Sequence, residues 1–311
     1  MNMNSSSSNR SIKQYFFIGL KGMAMGAADV VPGVSGGTIA FISGIYQELV
    51  ETISGFKLSL LKTLKQEGFK AAWEKGNFSF ITALFIGILT SVFSLMKLVH
   101  FLLENHPIKL WAFFFGLVLA SILFIGKQIK QWNFKTIIAF LVSALLAFGI
   151  TKLGTSGDSE NLFYLFLSGA IASCAMILPG ISGSFILVLL GAYGTITKAV
   201  HDFDLKRIIV VALGVIVGLL SFSHLLKWLF KHYENLTLAI LTGFVLGSLN
   251  KIWPWKKTLE SVFIDDKQIV LNEVSILPQD YPTDPQLLWA LILSILGFGL
   301  ILLLERLAKN K

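Results

Sequence analysis

Val31-Pro32-Gly33-Val34-Ser35-Gly36-Gly37-Thr38 and Leu178-Pro179-Gly180-Ile181-Ser182-Gly183-Ser184-Phe185 are two copies of one stretch, and both lie inside apolar sequence. Proline removes a backbone donor, glycine opens angles that other residues avoid, and a serine just beyond them is suited to starting a new helix. Each copy therefore predicts helix, break, helix. In hydrocarbon, a break is tolerated only where protein covers it or where it lines a wet cavity, because lipid cannot satisfy freed backbone groups. Two such breaks predict one shared polar site.

The repetition extends beyond the motif. At a constant offset of 147 residues Gly22 pairs with Gly169, Ala28 with Ala175, Ser35 with Ser182, Gly44 with Gly191 and Tyr46 with Tyr193. After a shorter second loop the offset becomes 127, matching Gly87 to Gly214, Ser94 to Ser221, Gly116 to Gly243 and Ser121 to Ser248. Interrupted hydrophobic segments at corresponding places in two halves are the sequence mark of a transporter's binding site. The plainer alternative is that these glycines and prolines only pack helices, which Gly22-x3-Gly26, Gly214-x3-Gly218 and Gly243-x3-Gly247 are suited to do.

With 54% hydrophobic and 14% charged residues, and a mean hydropathy of +0.73, the 311-residue chain is too apolar for a soluble domain and reads as an all-α polytopic membrane protein. Its net charge of +8 is spread over the ends of apolar runs, which argues for orientation signals and against a nucleic-acid partner. The single cysteine, Cys174, reads as a packing residue. A basic flank followed by an apolar run at the start invites comparison with a signal peptide, but Lys21 interrupts the run and residues 20–46 belong to the repeat, so cleavage is not expected.

Residues 1–10 read as a disordered polar start, 11–155 as the first repeat and 156–311 as the second. Each repeat opens with a broken-helix hairpin too short to cross a hydrocarbon core of ~30 Å. Spans follow at about 79–103, 109–126 and 135–153, then at 208–230, 236–251 and 286–304. Residues 56–76 carry lysines at amphipathic spacing, and 252–285 form a long loop on the other side, a candidate small external hairpin. With both termini cytoplasmic, sixteen Lys and Arg lie inside and nine outside. A hairpin plus three crossings per half is odd, so the two repeats are expected to be inverted, their re-entrant hairpins entering from opposite faces. Trp73, Trp111, Trp132, Trp253, Trp255 and Trp289 sit near span ends and read as interface anchors. The pattern specifies no oligomeric state.

A helix restarted at Ser35 or Ser182 aims N–H groups and the positive end of its dipole into the break, where anions bind. Pro32, Gly33, Gly36 and Gly37, with Pro179, Gly180 and Gly183, would let an oxyanion approach the backbone, and Ser35, Thr38, Ser182 and Ser184 offer hydroxyls to its oxygens. Asp29 falls within the membrane, where a carboxylate is costly and needs a role. It is a candidate proton-coupling site, or else a structural pair with Lys21 or a cap for the break. The five scattered histidines form no metal-ligand pattern, no nucleotide-binding motif is present, and no cofactor is expected.

These residues, above all Ala28-Asp29-Val30-Val31-Pro32-Gly33-Val34-Ser35-Gly36-Gly37-Thr38 and Leu178-Pro179-Gly180-Ile181-Ser182-Gly183-Ser184, resemble the bacterial polyprenyl-phosphate transporters of the PopT type over essentially the whole chain. The resemblance implies a transporter in the bacterial cytoplasmic membrane and no enzyme. Its partner would be a polyprenyl phosphate lipid, undecaprenyl phosphate, returned from the outer to the cytoplasmic leaflet among the membrane lipids. The rival reading is a membrane phosphatase acting on undecaprenyl pyrophosphate. Those enzymes look similar, but an arginine follows their serine where Gly36 and Gly183 stand here, and Ser35 has no evident activator. A transporter of small anions is a third reading.

Overall fold

The computed structural model describes residues 10–30, 35–152, 161–264 and 267–309. Residues 1–9 of the expected polar start, Pro32 and Gly33 of the first break, the 155/156 boundary between repeats, and Asp265-Asp266 lie outside the described residues.

The first half begins with α1 (Ile12–Val30), α2 (Gly36–Ile42) and α3 (Tyr46–Gly55). The lysine-rich stretch forms two short helices, α4 (Leu58–Gln66) and α5 (Gly68–Lys75), where one was expected; Gly68, at φ +88°, separates them. Then come α6 (Phe78–Asn105), α7 (Pro107–Gly126) and α8 (Phe134–Lys152). The second half repeats the order with α9 (Leu162–Ile177), α10 (Gly183–Leu189), α11 (Tyr193–His201), α12 (Leu205–Ser248) and α13 (Leu287–Lys309). Helix α12 has 44 residues, about 66 Å at 1.5 Å per residue and twice a hydrocarbon core. It bends at Tyr233, so its limbs 205–232 and 234–248 correspond to the expected spans 208–230 and 236–251. Among the described residues four helices are long and apolar enough to cross a membrane, counting α12 once. The protein is an all-α polytopic membrane protein.

The two halves repeat in backbone angles as well as in sequence. Ser43 (φ −77°, ψ 1°) and Leu190 (φ −79°, ψ 0°) end α2 and α10, followed by Gly44 at φ +73° and Gly191 at φ +68°. Only glycine takes such angles without strain, so each half has a second break that the sequence pattern showed only as one continued arm. His106, which joins α6 to α7 at φ −140°, ψ 46°, has its counterpart in Tyr233 at φ −139°, ψ 49°.

Close glycine contacts also recur. A methyl on Gly22 would strike the carbonyl of Leu84, and one on the matching Gly169 the carbonyl of Val211; Gly87 meets Gly19 as Gly214 meets Phe166. Thus α1 runs alongside α6, and α9 alongside the first limb of α12, each pair in the same direction. The remaining spans are exchanged between halves: α7 packs along α13, with Gly116 against Ser294, and α8 along the second limb of α12, with Gly243 against Phe140. Tyr46, Phe80, Leu84, Ile125, Leu241 and Val245 fill the core between them.

The loop after α12 holds a two-stranded antiparallel hairpin, β1 (Lys256–Ile264) with β2 (Lys267–Ser275), as the alternation suggested. Trp253 and Trp255 close the base of the loop, their indole N–H groups donating to Ile276 O and Pro285 O, both at 2.9 Å, and the Trp253 ring packs on Phe115 of α7. Trp255 is buried. It is a pin for the loop and not the interface anchor that its position suggested.

Candidate functional site

Ser35 is the N-cap of α2, as expected, its Oγ accepting from Gly37 N at 3.1 Å. The same hydroxyl lies 3.4 Å from Met176 O, to which it donates across the halves. One turn on, the Thr38 hydroxyl accepts from Gly180 N at 2.8 Å. Gly37 has room for no side chain, since a Cβ there would stand 2.9 Å from both Met176 O and Ile177 O. The two motifs, 142 residues apart at the Thr38–Gly180 bond, therefore meet in one seam. Pro179 is fully buried beneath it, and Gly180 adopts φ +92° beside Ser248, whose Oγ would be 2.7 Å from any added Cβ.

The two helix starts are not equivalent. In the first, Asp29 Oδ1 accepts from Gly36 N at 2.6 Å, so Asp29 is a cap for the break, while Lys21 donates from Nζ to Ser43 O at 2.7 Å. With Gly37 N held by Ser35, and Thr38 N bonded to Ser35 O at 2.9 Å, the first amides of α2 are occupied. The expected open anion turn is closed here by a carboxylate of the chain itself. In the second copy the residue matching Asp29 is Met176, half exposed, and Ser182 makes no capping bond. The Ser182 and Ser184 hydroxyls lie 2.8 Å from each other, Ser184 exposed. Gly183 sits against α9, where a Cβ would stand 2.9 Å from Ala172 O. The seam thus unites Ser35, Gly36, Gly37, Thr38, Pro179 and Gly180, and leaves Ser182 and Ser184 facing outward from it.

One group of charges near the seam escaped the sequence reading. Beyond α12, one turn past Ser248, Lys251 Nζ stands 4.5 Å from the centre of the Phe185 ring, the residue after Ser184. It contacts Glu273 Oε1 at 2.8 Å, and Lys256 Nζ reaches the same oxygen at 3.2 Å while lying 4.0 Å over Trp111. Burial pushes the Lys256 ammonium down to about 8 despite Glu273. Burial alone would raise the Glu273 carboxyl, but Lys256 and Lys251 together outweigh it and hold the group below its ordinary value. The signal available was that Lys251 ends a span whose repeat partner is Phe124; the charge read only as an orientation mark.

Cys174 packs with Sγ 3.5 Å from Gly218 O. No group of three metal-binding side chains occurs among the described residues.

Spanning helices gathered around a seam of broken ones define a multi-pass helical membrane protein. The chain belongs to the VCA0040-like family, described as undecaprenyl phosphate translocase-like, which matches residues 25–269. It is similar to the polyprenyl-phosphate transporter of Vibrio cholerae serotype O1 (strain ATCC 39315 / El Tor Inaba N16961), 46% identical over 296 residues that cover 94% of this chain and 96% of that protein. To the polyprenyl-phosphate transporter of Staphylococcus aureus (strain NCTC 8325 / PS 47) it is 32% identical over 256 residues, 76% of this chain and 85% of that one. No solved structure matches. By family the chain is a transporter and not an enzyme.

Proposed function

We propose that the protein carries a polyprenyl phosphate, undecaprenyl phosphate, from the outer to the cytoplasmic leaflet of the bacterial cytoplasmic membrane. The headgroup passes through the seam while the isoprenoid chain stays in lipid. The observation that carries this reading is the Thr38–Gly180 bond, which joins the two breaks into one polar locus inside an apolar bundle. Moving a phosphate through hydrocarbon is opposed by desolvation, and polar hydroxyls and amides at such a locus replace the lost water. The names of the two relatives support the substrate.

In this reading the halves, 11–155 and 156–311, are inverted repeats, each a re-entrant hairpin and three crossings, with the 252–285 loop extracytoplasmic. The recurring backbone angles and the exchange of α8 and α13 between halves support it. So do two contacts that turn each broken arm back along its first helix: Lys21 to Ser43 O, and the Tyr164 hydroxyl to Leu190 O. The site residues are those of the two turns, Pro32 and Gly33 included. Asp29 supplies proton coupling, since a carboxylate on the Gly36 amide repels an arriving phosphate until one of the two is protonated.

Purified protein in liposomes tests the reading. Wild type is expected to move undecaprenyl phosphate between leaflets, and Ser182→Ala/Ser184→Ala to slow that movement about tenfold or more, the loss of one or two hydrogen bonds to a charged group. Neither hydroxyl caps a helix, so stability should be unchanged. Movement equal to that in protein-free liposomes would refute transport, and wild-type rates in the double variant would remove the second turn from the path.

A further inference from the structure

Two ammonium groups share a single carboxylate oxygen beside the seam. Lys251, Lys256 and Glu273 have side chains only 19%, 11% and 20% exposed, so among the described residues the cluster sets two ammonium groups against one carboxylate, largely away from water. A buried net charge is expensive, and ion pairs that merely fasten a loop are normally balanced. What balances two lysines is a dianion, and a phosphate monoester carries about −1.5 to −2 at neutral pH.

Position strengthens the point. Ser248 touches Gly180 in the second break, Lys251 follows it by one turn, and the Lys251 ammonium caps the ring of Phe185, next to the Ser182–Ser184 pair. The lysines therefore lie just beyond the end of α12 that meets the seam, at the base of the hairpin. Glu273 comes from β2 of that hairpin, an element outside the helix bundle.

We propose that Lys251 and Lys256 form a subsite that first receives the phosphate headgroup of the lipid, and that Glu273 is a built-in stand-in for that phosphate, displaced when the lipid arrives. The proposal rests on the polyprenyl-phosphate reading above. It gives the hairpin a job: its carboxylate offsets part of the lysines' charge in the empty state and withdraws in the loaded one. The first turn holds the same arrangement on a smaller scale, with Asp29 on the Gly36 amide where an anion would sit.

Binding to protein in lipid nanodiscs tests this with undecaprenyl phosphate, undecaprenol and inorganic phosphate as probes. Glu273→Gln removes the competitor and is expected to tighten undecaprenyl phosphate binding roughly tenfold, the worth of a hydrogen bond to a charged group. Lys251→Met and Lys256→Met should each weaken it by a similar factor, with undecaprenol unaffected and Lys251→Arg close to wild type. A purely structural ion cluster gives the opposite sign at Glu273, because Gln would leave two lysines unpaired and the loop loosened. Weaker or unchanged binding in Glu273→Gln overturns the proposal, and a gain cannot arise from misfolding. Inorganic phosphate competing as well as the lipid would overturn the headgroup assignment in favour of a free-anion site. Failure of wild type to bind undecaprenyl phosphate at all would sink the functional reading itself, whereas binding by wild type with identical affinities in all four variants sinks only the lysine subsite.

Discussion

At the scale of the residue, the observed cap and the proposed proton coupling of Asp29 pull apart experimentally. Its carboxylate caps α2 by accepting from Gly36 N at 2.6 Å, a role that asparagine fills almost as well. Asp29→Asn should therefore fold, while Asp29→Ala should lose about 1 kcal/mol of stability with the cap. If Asp29 also gains and loses a proton in each cycle, only the aspartate couples transport to a gradient. Liposomes with and without an imposed pH difference should then show accelerated lipid movement for wild type and a gradient-independent rate for Asp29→Asn. Gradient dependence retained by a well-folded Asp29→Asn protein would exclude this carboxylate from coupling. The residue itself was legible in the sequence, because a carboxylate in an apolar run demands a reason. Which of its structural roles it fills was not: a pair with Lys21 and a cap for the break both stood open, and only the folded path brings the Gly36 amide, beyond the break, onto Asp29.

At the scale of the element, span positions could be read because apolar runs end in charge or proline, as Pro107 and the His106 turn end α6 and start α7. The short second breaks at Gly44 and Gly191 were hidden, since Ser43-Gly44 in the first copy and Gly191 in the second are brief punctuation in otherwise apolar arms. Hidden too was the exchange of spans, because a glycine that meets its own half and one that meets the other look alike in sequence. Gly243 is the case in point: a Cβ there would collide with Phe140 O and Ser143 Oγ, forcing α8 away from α12. Gly243→Ala is expected to cost about 1–3 kcal/mol, as over-packing does. Gly149→Ala, on the same α8 but with open space around it, should be neutral or slightly stabilising. Thermal unfolding of both variants in detergent makes the comparison, and equal midpoints would show that the exchanged contact does not hold the halves together.

At the scale of the whole molecule, the sides of the membrane follow from helix parity and from which ends meet. Arg10 makes a bidentate pair with Glu48 at 2.6 and 2.8 Å, and Asn77 donates to Glu48 at 3.0 Å, gathering the starts of α1, α3 and α6 at one end. At another end, Asn250 donates to the Thr151 hydroxyl at 2.8 Å, and Lys109 stands 5.3 Å from the Trp289 ring, gathering the ends of α8 and α12 with the starts of α7 and α13. The proposed inverted arrangement would put the first group in the cytoplasm and the second outside, in line with the lysine bias of α4 and α5. Single cysteines at the exposed positions Lys65 and Thr283, in a Cys174→Ala background, report on the two groups. In intact cells an impermeant maleimide should label Thr283→Cys and spare Lys65→Cys until the membrane is opened. The reverse pattern would keep the repeats inverted but turn the protein over, and would place the lysine subsite on the cytoplasmic side. Labelling of both from one face would break the parity on which the inverted repeats, and the alternating approach of lipid from two leaflets, depend.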